Sequence, residues 1–309
     1  MPMKRFKNVL VVYNDEVGAD DALTQAAALV RANDARLTLI DVCPEGYGSL
    51  AVPMEREKRL ERAKRSLQLD GVGEVDSQVL IGTAIEKIID QVLRANHDMV
   101  IATSTGGGMV HDALYGSLAT QLMRKCPCPV WIVKPGQTMA YSRILAAVDP
   151  DPSNAAADPL CVKVMDMATS LANSHGAELH VLHAWEVDGN DRDTVWSEVP
   201  EKTHRMLLEK HERKRRDSVE AMLRRYRDLP KAPLVHMPRG LPQWEIVNAV
   251  KANDIDLVVM GTTGRSGLLG LLVGNTAESI MAAVGSGILT VKPEGLEATI
   301  DRDGTMAVA

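Results

Sequence analysis

The chain has 309 residues, of which 45% are hydrophobic, 25% charged and 3% aromatic. That length predicts two domains with aliphatic cores, and the balance excludes collagen-like, disulfide-stapled and disordered classes. A formal net charge of -6 argues against a dedicated nucleic-acid binder, because phosphate binding depends on Lys and Arg. With no apolar stretch long enough to cross a bilayer and no signal-peptide core, we expect no membrane association and a cytoplasmic location.

Short runs rich in Val, Ile and Leu alternate with helix-length segments along the whole chain. The runs cover residues 9–13, 37–42, 77–81, 99–103 and 130–134, then 144–149, 179–184, 234–237, 257–261 and 288–292. Between two of them, segment 84–93 places Ile85, Ile88, Ile89 and Val92 on one helical face. This alternation predicts α/β architecture with two tandem, doubly wound, open parallel sheets of five strands each.

The second set of runs repeats the first. Gly82 and Gly240, Gly116 and Gly274, and Lys134 and Lys292 are all separated by the same offset of 158 residues. A constant offset indicates a duplicated domain. We therefore divide the chain into a first copy (1–137), a second copy (141–294) and a tail (295–309) that we expect to be loose.

Cys126 and Cys128 stand just before the run at 130–134. Two interpretations are open: a thiolate pair for a soft metal, or small buried residues that lead into a strand. The packing interpretation is favoured, because four irregularly spaced cysteines form neither a disulfide framework nor a zinc motif.

Segment 201–228 contains the most basic run of the chain, Arg213 to Arg216. An apolar stripe of Leu208, Val219, Met222, Leu223 and Tyr226 predicts a helix with a solvated charged face. A nucleic-acid or partner surface is the alternative, and the interspersed Glu and Asp residues weaken it.

Glycines cluster after the fourth run of the second copy, with the spacing Gly261-x2-Gly264-x9-Gly274. Residues without Cβ atoms let backbone N–H groups approach an anion closely, and a helix that begins at Gly274 would favour phosphate. Glycines also terminate strands, and Asn275 with Glu278 can cap a helix that binds no ligand. The spacing alone leaves both readings open. It fits neither a Rossmann dinucleotide fingerprint nor a P-loop, because both need other glycine patterns.

The same residues resemble the ATP-binding signature of the universal stress protein family, with Asn275 where Ser or Thr is more usual. The resemblance covers both copies and is greatest for tandem, E-type members, given the strings at residues 122–127, 130–134 and 274–278. It implies an adenine nucleotide alpha hydrolase-like fold and binding of ATP, with or without Mg²⁺, in stress response. The resemblance assigns cofactor-binding roles in the second copy to Asp149, Ala184, Gly261, Gly264, Arg265, Gly274, Asn275 and Thr276.

The first copy matches this pattern less completely. Its corresponding positions are Asn14, Val42, Thr103, Gly106, Gly116 and Ser117. Asn14 replaces Asp149, Thr103 replaces Gly261, and Gly107 replaces Arg265. We therefore expect tighter nucleotide binding in the second copy.

No catalytic triad or metal cluster stands out, so the sequence favours a binding module over an enzyme. His180 and His183 are three apart and would point to opposite faces of a strand. Asp15, Asp149 and Asp151 are possible metal ligands, but turn or nucleoside-contact roles are favoured for them. A slow metal-dependent ATP hydrolase remains an alternative. So does a scaffold for an apolar ligand at the loop 268–273, which packing against a neighbour would also explain.

Family domains commonly pair through their last strands. We therefore expect residues 130–133 and 289–291 to lie edge to edge within one chain, as an intramolecular pseudo-dimer. A monomer and a homodimer of whole chains both stay open.

Overall fold

The computed structural model describes residues 6–46, 51–104, 118–136, 140–186, 201–262, 279–293, 298–300 and 306–308. The strands of the first copy are β1 (Asn8–Val12), β2 (Arg36–Cys43), β3 (Val75–Ile81), β4 (Met99–Thr103) and β5 (Val130–Val133). Its helices are α1 (Ala19–Asn33), α2 (Ala51–Leu69), α3 (Ala84–Ala95) and α4 (Leu118–Lys125). A helix thus follows each of the first four strands, as the sequence predicts.

The second copy repeats this order. Its strands are β6 (Arg143–Ala147), β7 (Glu178–Leu182), β8 (Leu234–His236), β9 (Leu257–Gly261) and β10 (Gly287–Val291). Its helices are α5 (Pro159–His175), α6 (Glu201–Leu223), which continues into a 3-10 turn at Arg224–Tyr226, and α7 (Pro242–Ala252). All ten predicted strands are confirmed.

The strands form one sheet in the order β3-β2-β1-β4-β5-β10-β9-β6-β7-β8. Pairing is parallel within each copy and antiparallel between β5 and β10, where Trp131 lies opposite Leu289 and Ile132 opposite Ile288. The predicted edge-to-edge pairing is confirmed. The two five-stranded sheets are therefore continuous, and neither β5 nor β10 is left as an open edge.

Both faces of this sheet are covered, which explains why its central strands read as unbroken apolar runs. One core combines strand residues such as Val9, Leu39 and Val259 with the inner faces of α1, α2 and α5. The other core lies against α3, α4 and α7. Each fully buried Leu or Ile contributes about 1.5–3 kcal/mol relative to an exposed one, so these layers supply most of the driving force for folding.

Two helices show why the local sequence folds as it does. In α3 the buried residues are Ile85, Ile88, Ile89 and Val92, which confirms the predicted face. Helix α5 begins at Pro159 and is capped by Asp158, whose Oδ1 accepts a hydrogen bond from the N–H of Cys161 at 3.0 Å. That cap places the start of α5 beside the loop that follows β6.

The long charged segment forms α6, as predicted. Val219, Met222 and Tyr226 are buried, while Arg213, Lys214 and Arg216 are exposed. Arg216 pairs with Glu212 at 3.0 Å on the solvent face. The basic run is thus solvated and interleaved with acids.

The tail contains a short antiparallel pair, β11 (Ala298–Ile300) and β12 (Met306–Val308). The sequence predicts a loose tail. In the described residues of the tail, the structure has this pair of short strands. The domain limits at residues 137, 141 and 294 stay a prediction.

Cys126 and Cys128 lie immediately before β5 and are both buried, as their packing interpretation predicts. The Sγ atoms are 3.5 Å apart. In the described part of the chain, no group of three or more His, Cys, Asp or Glu side chains is arranged to hold a metal ion. The soft-metal alternative therefore finds no further ligand there.

Candidate functional site

The carboxyl ends of three neighbouring strands bring together part of the predicted site in the second copy. Strand β6 lies between β7 and β9, and Ala147 is level with Leu182 on one side and Met260 on the other. Asp149, Ala184 and Gly261 follow these three positions by one or two residues. They therefore stand at the same edge of the sheet, on adjacent strands.

This edge is also where the strand order reverses. From β6 the chain continues to β7 on one side, whereas β9 lies on the other side. Open α/β sheets bind ligands in the crevice at such a switch point. The first copy has the equivalent crevice between β1 and β4.

The carboxylate of Asp149 is half exposed and lies over a buried histidine. His183 Nδ1 is 3.1 Å from the carbonyl oxygen of Val148 and 3.7 Å from Asp149 Oδ1. Because a carbonyl oxygen only accepts, His183 must carry its proton on Nδ1 in the hydrogen bond to Val148. His183 thus holds the backbone just before Asp149, whose side chain is 46% exposed at this edge of the sheet.

His180 and His183 do not converge on one point. The Nδ1 atom of His180 lies 2.9 Å from Nε2 of His236 on β8, and the two rings are stacked. His180 lies within β7 and contacts His236, whereas His183 directly follows the strand and contacts Val148.

Gly261 packs closely against Leu160 because it has no side chain. A Cβ atom there would come within 2.8 Å of Leu160 Cδ2, at the start of α5. This contact gives a structural reason for glycine that requires no ligand. The close approach of Gly261 to a ribose or phosphate stays a prediction.

In the first copy, Asn14, Val42 and Thr103 occupy the corresponding ends of β1, β2 and β4. Asn14 Oδ1 accepts a hydrogen bond from the N–H of Glu16 at 3.3 Å, which closes a local turn. Thr103 stands where the second copy has Gly261, and its hydroxyl-bearing side chain is buried. The strand order forms the same crevice here, with the neutral amide of Asn14 at the position of the Asp149 carboxylate.

A buried ion cluster in the first copy was not predicted. Asp41 is 1% exposed; its carboxylate pairs with Arg56 at 2.7 Å and also with Arg59, both from α2. The N–H of Tyr13 donates to the carbonyl oxygen of Ile40, and the N–H of Val148 donates in the same way to that of Leu182. Asp41 and His183 directly follow these two acceptor residues, so they occupy corresponding positions in the two copies. The sequence signal was a charged residue inside an apolar run, with Arg56 and Arg59 one helical turn apart.

The turn residues near the two crevices mostly make local contacts. Asp151 Oδ1 accepts from the N–H and the hydroxyl of Ser153, both at 2.8 Å. Asp15 lies 4.0 Å from Arg59. The contacts of Asp151 fit the predicted turn role, whereas the contact of Asp15 is with α2.

The remaining predicted site residues lie outside the described residues: Gly106, Gly116, Ser117, Gly264, Arg265, Gly274, Asn275 and Thr276, together with the loop 268–273. Their contacts with a nucleotide stay predictions. Among the helices of the described residues, none is both long and apolar enough to cross a membrane.

Comparison with known proteins gives consistent matches. The model of the universal stress protein family matches residues 5–134 and 140–292. Universal stress protein E of Photorhabdus laumondii is 25% identical over 96% of this chain and 98% of its own length, and the Haemophilus influenzae homologue is 25% identical over 94% and 98%. Among solved structures, a functionally unknown protein from Pseudomonas aeruginosa superposes with a TM-score of 0.74 at 22% identity, covering 94% of each chain. A universal stress protein from Archaeoglobus fulgidus gives a TM-score of 0.66 at 15% identity, covering 94% of this chain and 97% of its own.

Proposed function

This chain belongs to the universal stress protein family, as a tandem two-domain member of the E type, and we propose that its second copy binds an adenine nucleotide. The observation that carries the proposal is the position of Asp149, Ala184 and Gly261 on three adjacent strands at a switch point of the sheet. The proposed role is ATP binding in a cytoplasmic stress response.

The crevice has groups suited to a nucleoside. The exposed side of the Asp149 carboxylate can accept hydrogen bonds from ribose hydroxyls, while His183 fixes the backbone beneath it. Ala184 is half-buried and has a small apolar side chain, and we assign it to the contact with the base. The phosphates would then extend toward Gly264, Arg265 and the segment that starts at Gly274, where Mg²⁺ could accompany them.

The first copy is proposed to bind more weakly. Asn14 lacks the charge of Asp149, and its Oδ1 already accepts from Glu16. A hydrogen bond to a charged group contributes about 1.5–3 kcal/mol, roughly twice the value for a neutral one. Two crevices in one chain are thus expected to differ in affinity.

Equilibrium binding of labelled ATP to the full chain tests this proposal. The full chain is needed because cutting between the copies would expose β5 and β10 as open edges. Asp149→Ala should weaken the tighter site about tenfold or more, and the matched variant Asn14→Ala should leave that site unchanged. Absence of ATP binding, or a larger effect at Asn14, would contradict the proposal.

Two further measurements separate the alternatives. Steady-state phosphate release with Mg²⁺ distinguishes a binding module from a slow ATP hydrolase, whose turnover would fall in parallel with binding in Asp149→Ala. Native mass spectrometry of freshly purified protein identifies a retained ligand by its mass and counts it per chain. An apolar molecule in place of a nucleotide would favour the scaffold alternative.

A further inference from the structure

The proline-flanked cysteine pair at the start of β5 places two thiols in contact. Cys126 Sγ and Cys128 Sγ are 3.5 Å apart, and residues 127 and 128 lie in a bend of the chain. A disulfide needs its sulfur atoms about 2.05 Å apart, so the two Sγ atoms must approach by roughly 1.5 Å for the bond to form. Cys43 and Cys161, the other two cysteines, are also buried as free thiols.

The surroundings of the two thiols favour the loss of one proton from the pair and the retention of the other. The thiol of Cys128 and, beyond it, the ammonium of Lys292 lower the pKa of Cys126. The same contact with Cys126 raises the pKa of Cys128 well above its usual range. The pair therefore loses its first proton more easily than an isolated buried thiol, and the thiolate is the form that reacts with oxidants.

A cleft gives small molecules access to this pair. Cys128 lines an opening of about 650 Å³ between the two copies. The same cleft is lined by Asp98 from the first copy and by Lys163, Asp166 and Arg225 from the second. Cys126 is fully buried behind it, whereas Cys128 is 9% exposed. Cys128 is thus the member of the pair nearer to a polar oxidant, such as hydrogen peroxide, that enters the cleft.

We propose that Cys126 and Cys128 form a redox-active dithiol that hydrogen peroxide converts to an intramolecular disulfide. In the first step, the thiolate of the pair attacks one peroxide oxygen; the O–O bond breaks, one water molecule leaves, and that cysteine becomes a sulfenic acid. In the second step, the neighbouring sulfur displaces the hydroxyl group and a second water molecule leaves. Two thiols are oxidised by two electrons, and one peroxide molecule is reduced to two water molecules.

The pair uses none of the residues assigned to the nucleotide crevices. Because β5 runs antiparallel to β10, its start lies at the same edge of the sheet as the carboxyl ends of β9 and β6. The pair also has its own consequence. The ammonium of Lys292 faces the pair and donates a hydrogen bond to Arg124 at 2.6 Å. Oxidation would remove the two thiols whose ionisation favours the charged form of Lys292.

Peptide mass spectrometry of the full chain tests the proposal. The protein is treated with hydrogen peroxide and freed of excess oxidant. It is then unfolded in denaturant, its free thiols are alkylated, and the chain is cleaved with trypsin. Both cysteines fall in the peptide 126–143, while Cys43 and Cys161 fall in 37–56 and 144–163. We expect peptide 126–143 to lose both alkyl groups and the mass of two hydrogen atoms, with full recovery after treatment with dithiothreitol.

The other peptides provide the internal control. Burial raises the pKa of Cys161 to about 12, so its peptide should stay fully alkylated under the same treatment. A Cys161→Ser variant should give the same disulfide in peptide 126–143. In Cys126→Ser, a sulfenic acid should persist on Cys128, which lines the cleft, and react with dimedone.

Three outcomes would overturn the proposal. They are two alkylated cysteines in peptide 126–143 after treatment, a sulfinic or sulfonic acid without a disulfide, and oxidation of Cys161 at the same rate as the pair. All three are read from the unsubstituted protein, so they do not depend on whether a variant folds.

Discussion

The Nζ atom of Lys292 lies 2.6 Å from the carbonyl oxygen of Arg124, so a residue that follows β10 donates a hydrogen bond to the last turn of α4 in the other copy. The last carbonyl groups of a helix have no partner within that helix, and a cation beside them is favourable. Lys134, the counterpart of Lys292 in the first copy, donates to the carbonyl oxygen of Met281 at 2.7 Å. The two bonds are reciprocal and lie beside the β5–β10 pairing.

Replacing Lys292 with Met should change how stability depends on pH. Burial lowers the pKa of Lys292 below its ordinary value of 10.5. Between the lowered value and 10.5 the unfolded chain holds more protons than the folded one, so stability rises with pH in that window. We expect the unsubstituted protein to gain stability relative to Lys292→Met as the pH rises toward 10.5.

Urea unfolding of both proteins at a series of alkaline pH values measures this difference. Lys134→Met should show the same direction, because burial also lowers the pKa of Lys134. A difference in unfolding free energy that stays constant with pH would contradict the prediction.

The junction between the copies should depend strongly on Trp131. This residue is fully buried in β5 opposite Leu289, and its ring centroid lies 5.9 Å from that of Tyr141. Trp131→Ala should lower the free energy of unfolding by about 3–5 kcal/mol, as expected for a large side chain removed from a core. Far-UV circular dichroism during urea unfolding measures the change.

Trp244 on α7 is the matched control, since its side chain is 63% exposed. Trp244→Ala should change the stability by about 0.5 kcal/mol or less. Similar losses in the two variants would show that the β5–β10 junction carries no special share of the stability.

Much of the fold could be predicted because the central strands are buried on both faces. That burial produces apolar runs such as 99–103 and 257–261, whose bounds as strands are the predicted ones. The ends of β6 and β7 were harder, because Val148 and His183 continue the apolar or buried pattern after the strand hydrogen bonds stop.

The site was predictable only in part, for a physical reason. Parallel strands bring their carboxyl ends together, so the neighbourhood of Asp149, Ala184 and Gly261 follows from the topology alone. Contacts that depend on side-chain reach do not follow from it. Neither the pairing of Asp41 with α2 nor the stacking of His180 on His236 can be read from spacing, because both need the register of separate elements.

The ion cluster at Asp41 should be important for stability in the first copy. Asp41→Asn would leave Arg56 and Arg59 facing a neutral amide in a largely buried place. Removing one partner of a buried pair typically lowers stability by about 3–5 kcal/mol, and we expect a loss of that size in urea unfolding.

The exposed pair of Glu212 and Arg216 on α6 offers a comparison. Glu212→Gln should change stability by less than about 1 kcal/mol, because solvent screens exposed pairs. If Asp41→Asn had an equally small effect, the cluster would not hold α2 against β2.

The His180–His236 pair should make the edge of the second copy sensitive to acid. The ring nitrogens are 2.9 Å apart, so one ring donates and the other accepts, and Glu178 lies 3.4 Å from the far side of His180. Burial, and then the neighbouring His180, lower the pKa of His236 below its ordinary value of 6.5. Between the lowered value and 6.5 the unfolded chain binds more protons, so stability falls as the pH falls through this window.

His236→Gln should therefore lose stability less steeply below pH 6.5 than the unsubstituted protein, as measured by urea unfolding at a series of acidic pH values. Parallel curves for the two proteins would show that the pair does not contribute to acid sensitivity.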